Sequence, residues 1–222
     1  MTHPLPTARQ TTRSDGAEAR ARLLSSAVEL FAQQGFANTS TREIAQAAGV
    51  NIAAISYYFG DKAGLYRAAF LEPMQSHRST LNEFSSPALS LADALHCFYS
   101  SFMAPLKQGP QMQHCVRLHL REMVEPTGLW DEVVRNEIKP SNQALRGVLC
   151  RHLGLKRADE DLHRLAFAIV GQVVYLLIGR EVVSSIAPRL LGSPSGIDKT
   201  TQRLTDQALA MVEAERVRRA TP

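Results

Sequence analysis

Residues 40–66 read STREIAQAAGVNIAAISYYFGDKAGLY, and turn residues cut this stretch into three short helical pieces. Ser40 stands three residues ahead of Glu43, the spacing of a capping box, so a helix starts there. Its buried side is expected to hold Ile44, Ala45 and Ala48, and Gly49 supplies the left-handed residue that stops it. Asn51 caps the next piece and Gly60 ends it. Asp61 caps the third, which carries Leu65, Ala69 and Phe70 inward as far as Pro73, a residue with no amide hydrogen to continue a helix. Two short helices joined by AAGVN make a helix-turn-helix, with Val50 filling the space between them.

The middle piece carries more than packing requires. Ile55 and Phe59 lie four apart and share its inner face. Ile52, Ala53, Ser56, Tyr57 and Tyr58 are left outward or at the margins, with Lys62 just beyond. A helix of this width fits the major groove of B-form DNA. The hydroxyls of Ser56, Tyr57 and Tyr58 and the Lys62 amine are of a length to reach phosphate oxygens, and amides at the starts of the flanking helices attract the same anions. On an arbitrary helix two tyrosines would cover a core edge. Beside Lys62 in a helix-turn-helix, the DNA reading is favoured. Charge alone does not decide, because residues 1–75 hold seven Lys and Arg against six Asp and Glu, so any electrostatic footprint is a local patch. Arg9, Arg13, Arg20 and Arg22 either add backbone contacts or are simply solvated.

Outside this stretch the chain is ordinary globular material. Its 222 residues are 45% hydrophobic and 21% charged, with a formal net charge of +4. That suffices for one sizeable core or two modest ones, and it permits a polyanionic partner without proving one. Cys97, Cys115 and Cys150 are too few and scattered for a disulfide framework and fit a reducing cytoplasm. The opening MTHPLPTARQTTRSDG lacks the apolar core of a secretory signal and reads as a disordered, mildly basic arm over residues 1–16. A first helix is expected over 17–34, with Leu23, Leu24, Ala27, Val28, Leu30 and Phe31 at helical spacing and Gly35 as its stop. This gives a helix-turn-helix domain over 17–73 and a larger helical region over 74–219.

In that region helices are expected near 89–106, 112–124, 129–152, 158–186 and 200–219, separated by KQGP, EPTG, LGLK and LLGSPSG. With no alternating strand pattern of useful length and no internal repeat, the fold class is all-α. Residues 165–179 are nearly apolar. They fall short of the roughly 20 residues of a bilayer span, and Gln172 interrupts them, so a buried or interfacial helix is expected and no membrane partner.

The run ARLLSSAVELFAQQGFANTSTREIAQAAGVNIAAISYYFGDKAGLY, residues 21–66, resembles the N-terminal domain of TetR-type transcriptional regulators. ELFAQQGF, TSTREIAQAAGV and YYFGDKAGL fall in the family's order and spacing. The resemblance implies that Ser40, Thr41 and Arg42 contact the DNA backbone, that Asn51, Ile52, Ala53, Ala54 and Ser56 meet base edges, and that Tyr57, Tyr58 and Lys62 bind phosphate. Tyr58 stands where histidine is more usual. Ile52, Ala53 and Ala54 offer no hydrogen bonds to bases, so readout would rest on thymine methyl contacts, on Asn51 and Ser56, or on DNA shape.

HCVRLHLREMVEPTGLWDEVV, with GQVVYLLIGREV, resembles the TetR subgroup that includes the CecR-type regulators. This implies a homodimer on a palindromic double-stranded DNA operator, a small-molecule effector, and control of efflux or transport genes, with repression the commoner mode. Tyr99, Phe102, Met103, Arg117, Leu118, Arg121, Trp130, Gln172 and Tyr175 are the candidate effector residues, aromatic walls with a few polar anchors. Arg117 and Arg121 share a helix face and either hold an anionic ligand or pair with Glu122, Glu125 or Asp131. Ile169, Val173, Leu176, Leu204, Ala208, Met211 and Val212 are expected at a four-helix dimer interface.

Two other readings remain, a small-molecule enzyme on a helical bundle and a helical adaptor without DNA. No nucleophile elbow, phosphate loop or paired metal-ligand motif supports the enzyme. Cys115 with His119, and His96 with Cys97, are thin material for a metal site, and no cofactor is expected.

Overall fold

The computed structural model describes residues 8–73 and 80–221, apart from the side chains of residues 8–14 and 80–82. Among the described residues there is no strand, and contacts divide the chain into two units that meet between residues 73 and 74. The first seven residues of the expected arm lie outside the described residues. From Ala8 the backbone is already helical, so α1 runs Ala8–Asn38, with helical geometry broken at Gly35. Thr39 is buried just past the break, and its hydroxyl donates to the Gly35 carbonyl at 2.8 Å.

In the first unit α1 is followed by α2 (Thr41–Ala47), α3 (Ala53–Phe59) and α4 (Lys62–Leu71). The capping box at Ser40 and Glu43 is complete in both directions. Gly49 at φ 64° closes α2. Its amide bonds the Gln46 carbonyl while the Val50 amide bonds the Ala45 carbonyl, a Schellman arrangement that satisfies two carbonyls otherwise left over at a helix end. The Asn51 carboxamide accepts from the Ala53 amide at 2.8 Å, and the Asp61 carboxylate accepts from the Gly64 amide at 2.8 Å. The core is Leu23, Val28, Phe31, Ile44, Ile55, Leu65 and Phe70, with Tyr66 set edge-on to Phe31.

Two arginines of α1 tie these helices together. Arg20 makes a two-pronged ion pair with Glu72 at 2.7 and 3.0 Å and lies 4.9 Å from the centre of the Phe59 ring. Arg22 donates to the Ala48 carbonyl at the end of α2, 3.1 Å away, where a cation also meets the negative end of the helix dipole. Neither is a free solvated charge.

The described part of the second unit opens with a 3-10 turn, Thr80–Ser85, and continues through α5 (Leu91–Met103) and α6 (Pro110–Val124). Next come α7 (Trp130–Val133), a π turn (Val134–Ile138) and α8 (Lys139–Leu153), and finally α9 (Glu160–Ile178), α10 (Arg180–Ile186) and α11 (Pro194–Ala220). In the π turn the Lys139 amide bonds the Val134 carbonyl, five residues back. α11 starts at Pro194, earlier than the LLGSPSG stretch led one to expect. Ser193 caps it by accepting from the Gly196 amide, and proline at the first helical position has no amide to lose. α9 is long and apolar enough to cross a membrane by length and composition, yet it contributes Leu162, Ala166, Ile169 and Val173 to a core shared with α5, α8 and α11.

At the end of that core the start of α9 is bound to the last turns of α11. Arg219 bonds Asp159 at 2.7 and 2.8 Å and Glu215 at 2.6 Å, and Arg218 bonds Asp161 at 2.8 Å. The Arg219 guanidinium, and after it the Leu162 amide, hold the Asp159 carboxyl well below its ordinary range. Hydrogen bonds from Arg218 lower Asp161 and Glu215 in the same sense. The folded state therefore binds fewer protons than the unfolded chain as pH falls through the ordinary carboxylate range, and the stability contributed by the cluster is lost in that direction. Melting temperature is expected to drop as pH falls from about 5 to about 3, and Arg219→Ala should flatten the drop. Equal slopes for both proteins would remove the cluster from the explanation. In the first unit the Lys62 ammonium sits 4.5 Å from the Phe36 ring centre. Lys62→Ala should lower the stability of this unit by about 0.5–1 kcal/mol in urea unfolding, whereas Tyr57→Ala, at a side chain that is 81% exposed, should stay within about 0.5 kcal/mol.

Candidate functional site

α3 has seven residues and only Ile55 fully buried. Ile52, Ala53, Ser56 and Tyr57 are exposed, and Ala54 is half-buried. Tyr58 is half-buried beside Tyr57, with ring centres 4.8 Å apart and edge to face. Its hydroxyl approaches α1 so closely that an alanine Cβ at Gly16 would meet it at 3.0 Å. Lys62 is half-buried over Phe36 and draws the Glu43 carboxyl down, after the larger effect of the Ser40 backbone and side chain on that group. Thr41 is half-buried, while Ser40, Arg42 and Asn51 are exposed.

The chemistry of these side chains differs. Asn51 uses its carboxamide oxygen on the Ala53 amide, and its NH2 group can donate. Ser40 accepts from the Glu43 amide at 3.2 Å and keeps a hydroxyl proton to donate. Ile52 and Ala53 present only methyl and methylene groups, suited to a thymine methyl. Ser56, Tyr57 and Arg42 reach out with hydroxyl and guanidinium donors. Tyr58 and Lys62 each pack against another part of their own unit.

The candidate effector residues are not brought together. Tyr99, Met103 and Leu118 are fully buried core residues. The Tyr99 hydroxyl donates to the Gln172 side-chain oxygen at 2.7 Å, with the Ile169 carbonyl at 3.1 Å, and burial raises its pKa. Arg121 pairs with Glu125 at 2.9 Å, one of the expected partners, while Arg117 pairs at 3.6 Å with Glu181, which was not among them. Glu122 is buried and accepts from the Thr127 amide and hydroxyl, closing the EPTG turn that leads into Trp130. Tyr175 is 63% exposed on the outside of α9.

Phe102 and Trp130 alone of that set line a partly open cavity of about 250 Å³. Its other walls are Phe98, Ser101 and Pro105 from α5 and the turn after it, Val116, His119, Leu120 and Met123 from α6, and Phe167, Val170, Val174 and Leu177 from α9. Val133, Glu137, Ile138, Ser141, Asn142 and Leu145 complete it from the π turn and its flanks. The aromatic pair Phe98 and Phe102, four apart, was a signal the sequence offered. The phase change at the π turn was not, because nothing in VRNEI marks an i to i+5 bond.

The expected interface residues are also placed differently. Ile169, Val173, Leu204, Ala208 and Val212 are buried within the protomer, while Leu176 and Met211 are half-buried against its core. The large apolar residues that α9 and α10 leave exposed are Phe167, Tyr175, Ile178, Val182 and Ile186. Between α9, residues 188–193 and α11 runs an open groove of about 890 Å³ that includes Gln172, Leu176, Leu190, Lys199, Arg203 and Gln207. Among the described residues no group of three or more His, Cys, Asp and Glu is placed to hold a metal. Cys115 is buried, which pushes its thiol up to about 11, and its carbonyl oxygen lies 2.9 Å from His119 Nδ1.

Comparison with known proteins gives this geometry its context. Residues 23–69 match the family described as bacterial regulatory proteins, tetR family, and residues 91–214 match the C-terminal domain of the HTH-type transcriptional dual regulator CecR. The CecR regulator of Shigella flexneri is 28% identical over 178 residues, covering 76% of this chain and 79% of that protein. A probable HTH-type transcriptional regulator of Bacillus subtilis, YttP, is 46% identical over 65 residues, 29% of this chain and 31% of that one. The fold matches SmeT in its triclosan complex with a TM-score of 0.62 at 19% identity, over 86% of this chain and 90% of that chain. It matches the fatty acid degradation regulator FadR of Bacillus halodurans with a TM-score of 0.63 at 17% identity, over 85% and 97%. These relatives are transcriptional regulators, not enzymes. With one domain match over the helix-turn-helix and another over more than half of its length, the chain belongs to the TetR family of transcriptional regulators, in the branch that carries a CecR-type C-terminal domain.

Proposed function

We propose that this regulator is a repressor that holds a palindromic operator as a homodimer and releases it when a small molecule occupies the cavity of the second unit. Efflux or transport genes are its targets, as the resemblance to CecR-type regulators implies, and it acts in the cytoplasm. The observation that carries the reading is the outward face of α3, where Ile52, Ser56 and Tyr57 stand exposed on a helix whose inner face is fixed by Ile55. A single short helix reads few bases, so two copies about one DNA turn apart, roughly 34 Å, are needed for a specific site. The effector must bind the non-binding state more tightly than the DNA-binding one, or it shifts nothing.

The dimer surface is the exposed stripe of α9 and α10 rather than the faces expected from the sequence. Phe167, Gly171, Tyr175, Ile178 and Val182 recur every three or four residues on the outside, and an apolar stripe of that length calls for a cover. On α11 the exposed Ala210, Ala214 and Val217 extend it. Tyr175→Asp should turn a dimer into a monomer in sedimentation while leaving the helical content unchanged, and a dimer that persists unaltered would move the interface elsewhere.

For the DNA face, Arg42→Ala with Tyr57→Ala is the cleaner probe, because both side chains are exposed whereas Tyr58 and Lys62 also support the fold. Against a duplex selected from a random pool, the double variant should stay dimeric and lose affinity. The slope of log affinity against log salt should flatten by about 0.9 per phosphate contact removed. Unchanged affinity and slope would sink this assignment.

A further inference from the structure

The wall that α9 gives to the cavity is Phe167, Val170, Val174 and Leu177. Leu177 is buried, Val170 and Val174 are half-buried, and Phe167 is exposed. Met123 from α6 and Ile138 from the π turn also line the cavity and are exposed. The lining is therefore apolar right up to an open side, where a bound ligand would keep apolar surface in water. Pockets gain their affinity by taking most of a ligand's surface out of water, so one protomer leaves this site unfinished. Four residues beyond Phe167 stands Gly171, and four further on Tyr175, and all three are exposed. Glycine in the middle of a helix of 19 residues weakens it relative to alanine. Nothing in the protomer requires it, since a Cβ built on Gly171 meets no atom within 4 Å. A glycine with open space on its outer side lets a second backbone approach closely from outside. Residues 165–179 carry no charged side chain, so a second copy laid on them meets no like charge.

We infer that a second copy of this chain completes the cavity: the two α9 helices cross antiparallel at Gly171, and the partner subunit's Tyr175 lies on Phe167 and closes the open side. In an antiparallel pair related by a two-fold axis, residues equally far before and after the crossing face each other. Phe167 and Tyr175 are four before and four after Gly171, on one face of the helix, so each cavity is capped from the other subunit. Two rings in contact there attract each other beyond the area they bury. This rests on the readings of the dimer face and of the effector cavity given above, and it adds that the effector site is shared between subunits. Ligand and partner then favour each other, because a ligand that binds the completed site more tightly also tightens the dimer.

The chain carries its own reporter, because Trp130 is its one tryptophan and it lines the cavity. The probe is 1-nitronaphthalene, an uncharged aromatic that quenches indole fluorescence on contact, so no ion pair enters the comparison. It should quench the wild-type dimer, and Tyr175→Ala should weaken its binding by roughly three- to tenfold in chains that still sediment as dimers. A chain with Trp130→Phe and Tyr175 intact is silent in this assay. Mixed in excess with the Tyr175→Ala chain, it should restore wild-type affinity at the one visible tryptophan, because the cap then comes from the silent subunit. Binding that stays weak in mixed dimers, recovered on a tag carried by the silent chain, overturns the shared site and leaves the dimer reading standing. Equal affinity of wild-type and Tyr175→Ala dimers overturns it too, as does a wild-type dimer that the probe does not quench. Where Tyr175→Ala falls apart into monomers, dilution of the wild-type chain reads the same linkage. Probe affinity should fall over the concentrations at which dimers dissociate, and constant affinity there overturns the inference. A wild-type chain that sediments as a monomer at every concentration sinks the dimer reading itself, and the shared site with it.

Discussion

A helix of seven residues has no stability of its own in water, so everything α3 presents to solvent depends on how it is held. One residue, Ile55, is fully buried on its inner face. Further supports are the Asn51 cap at one end, Gly60 at the other, the Tyr58 hydroxyl against α1, and the Arg20 guanidinium over Phe59. Arg20 is itself fixed by Glu72 at the end of α4. α1 is thus the beam from which α2, α3 and α4 are hung, and its two arginines are fasteners. The arrangement leaves Ile52, Ser56 and Tyr57 free to face outward, because none of them is needed for the packing.

α9 shows the opposite economy. Its sequence is apolar round most of the circumference, which by itself says only that every face finds cover. The structure divides those faces among different neighbours. Leu162, Ala166, Ile169 and Val173 fill the protomer core, Val170 and Val174 wall the cavity, and Tyr175 and Ile178 look outward. Phe167 belongs to two of these sets, lining the cavity while remaining 63% exposed.

That division explains which expectations the sequence could carry. Caps and stops were legible because they act over three or four residues, and Ser40, Gly49, Asn51, Gly60 and Asp61 all do what their types and spacing require. Periodicity also identified most of the helices, although the one expected over 158–186 is two, parted at Gly179, and SPSG read as a breaker where Ser193 and Pro194 in fact begin a helix. The phase of an apolar helix was not legible. A helix hydrophobic on every side gives no local sign of which stripe meets the core, so Val173 and Ile169 were expected at an interface and lie inside instead. The cavity was half legible for a related reason. Phe102 and Trp130 were found as isolated aromatics, but the residues opposite them depend on a π turn that shifts the phase between α7 and α8.

The size of the cavity constrains the switch it can operate. Moving a two-state equilibrium from ~1:99 to ~99:1 takes about 5.5 kcal/mol of preference between the states. A ligand confined to about 250 Å³ has few atoms, and the best small ligands gain at most ~1.5 kcal/mol per non-hydrogen atom, with larger ones nearer ~0.3. If one such ligand acted alone, much of its binding energy would have to differ between the two states. In the proposed homodimer two copies of the cavity act on one equilibrium, so each ligand needs to supply only about half of that difference, near ~2.7 kcal/mol or roughly a hundredfold preference. The proposed dimer would then serve both sides: one short helix reads too little sequence to act alone, and a second cavity halves the preference that each ligand must supply.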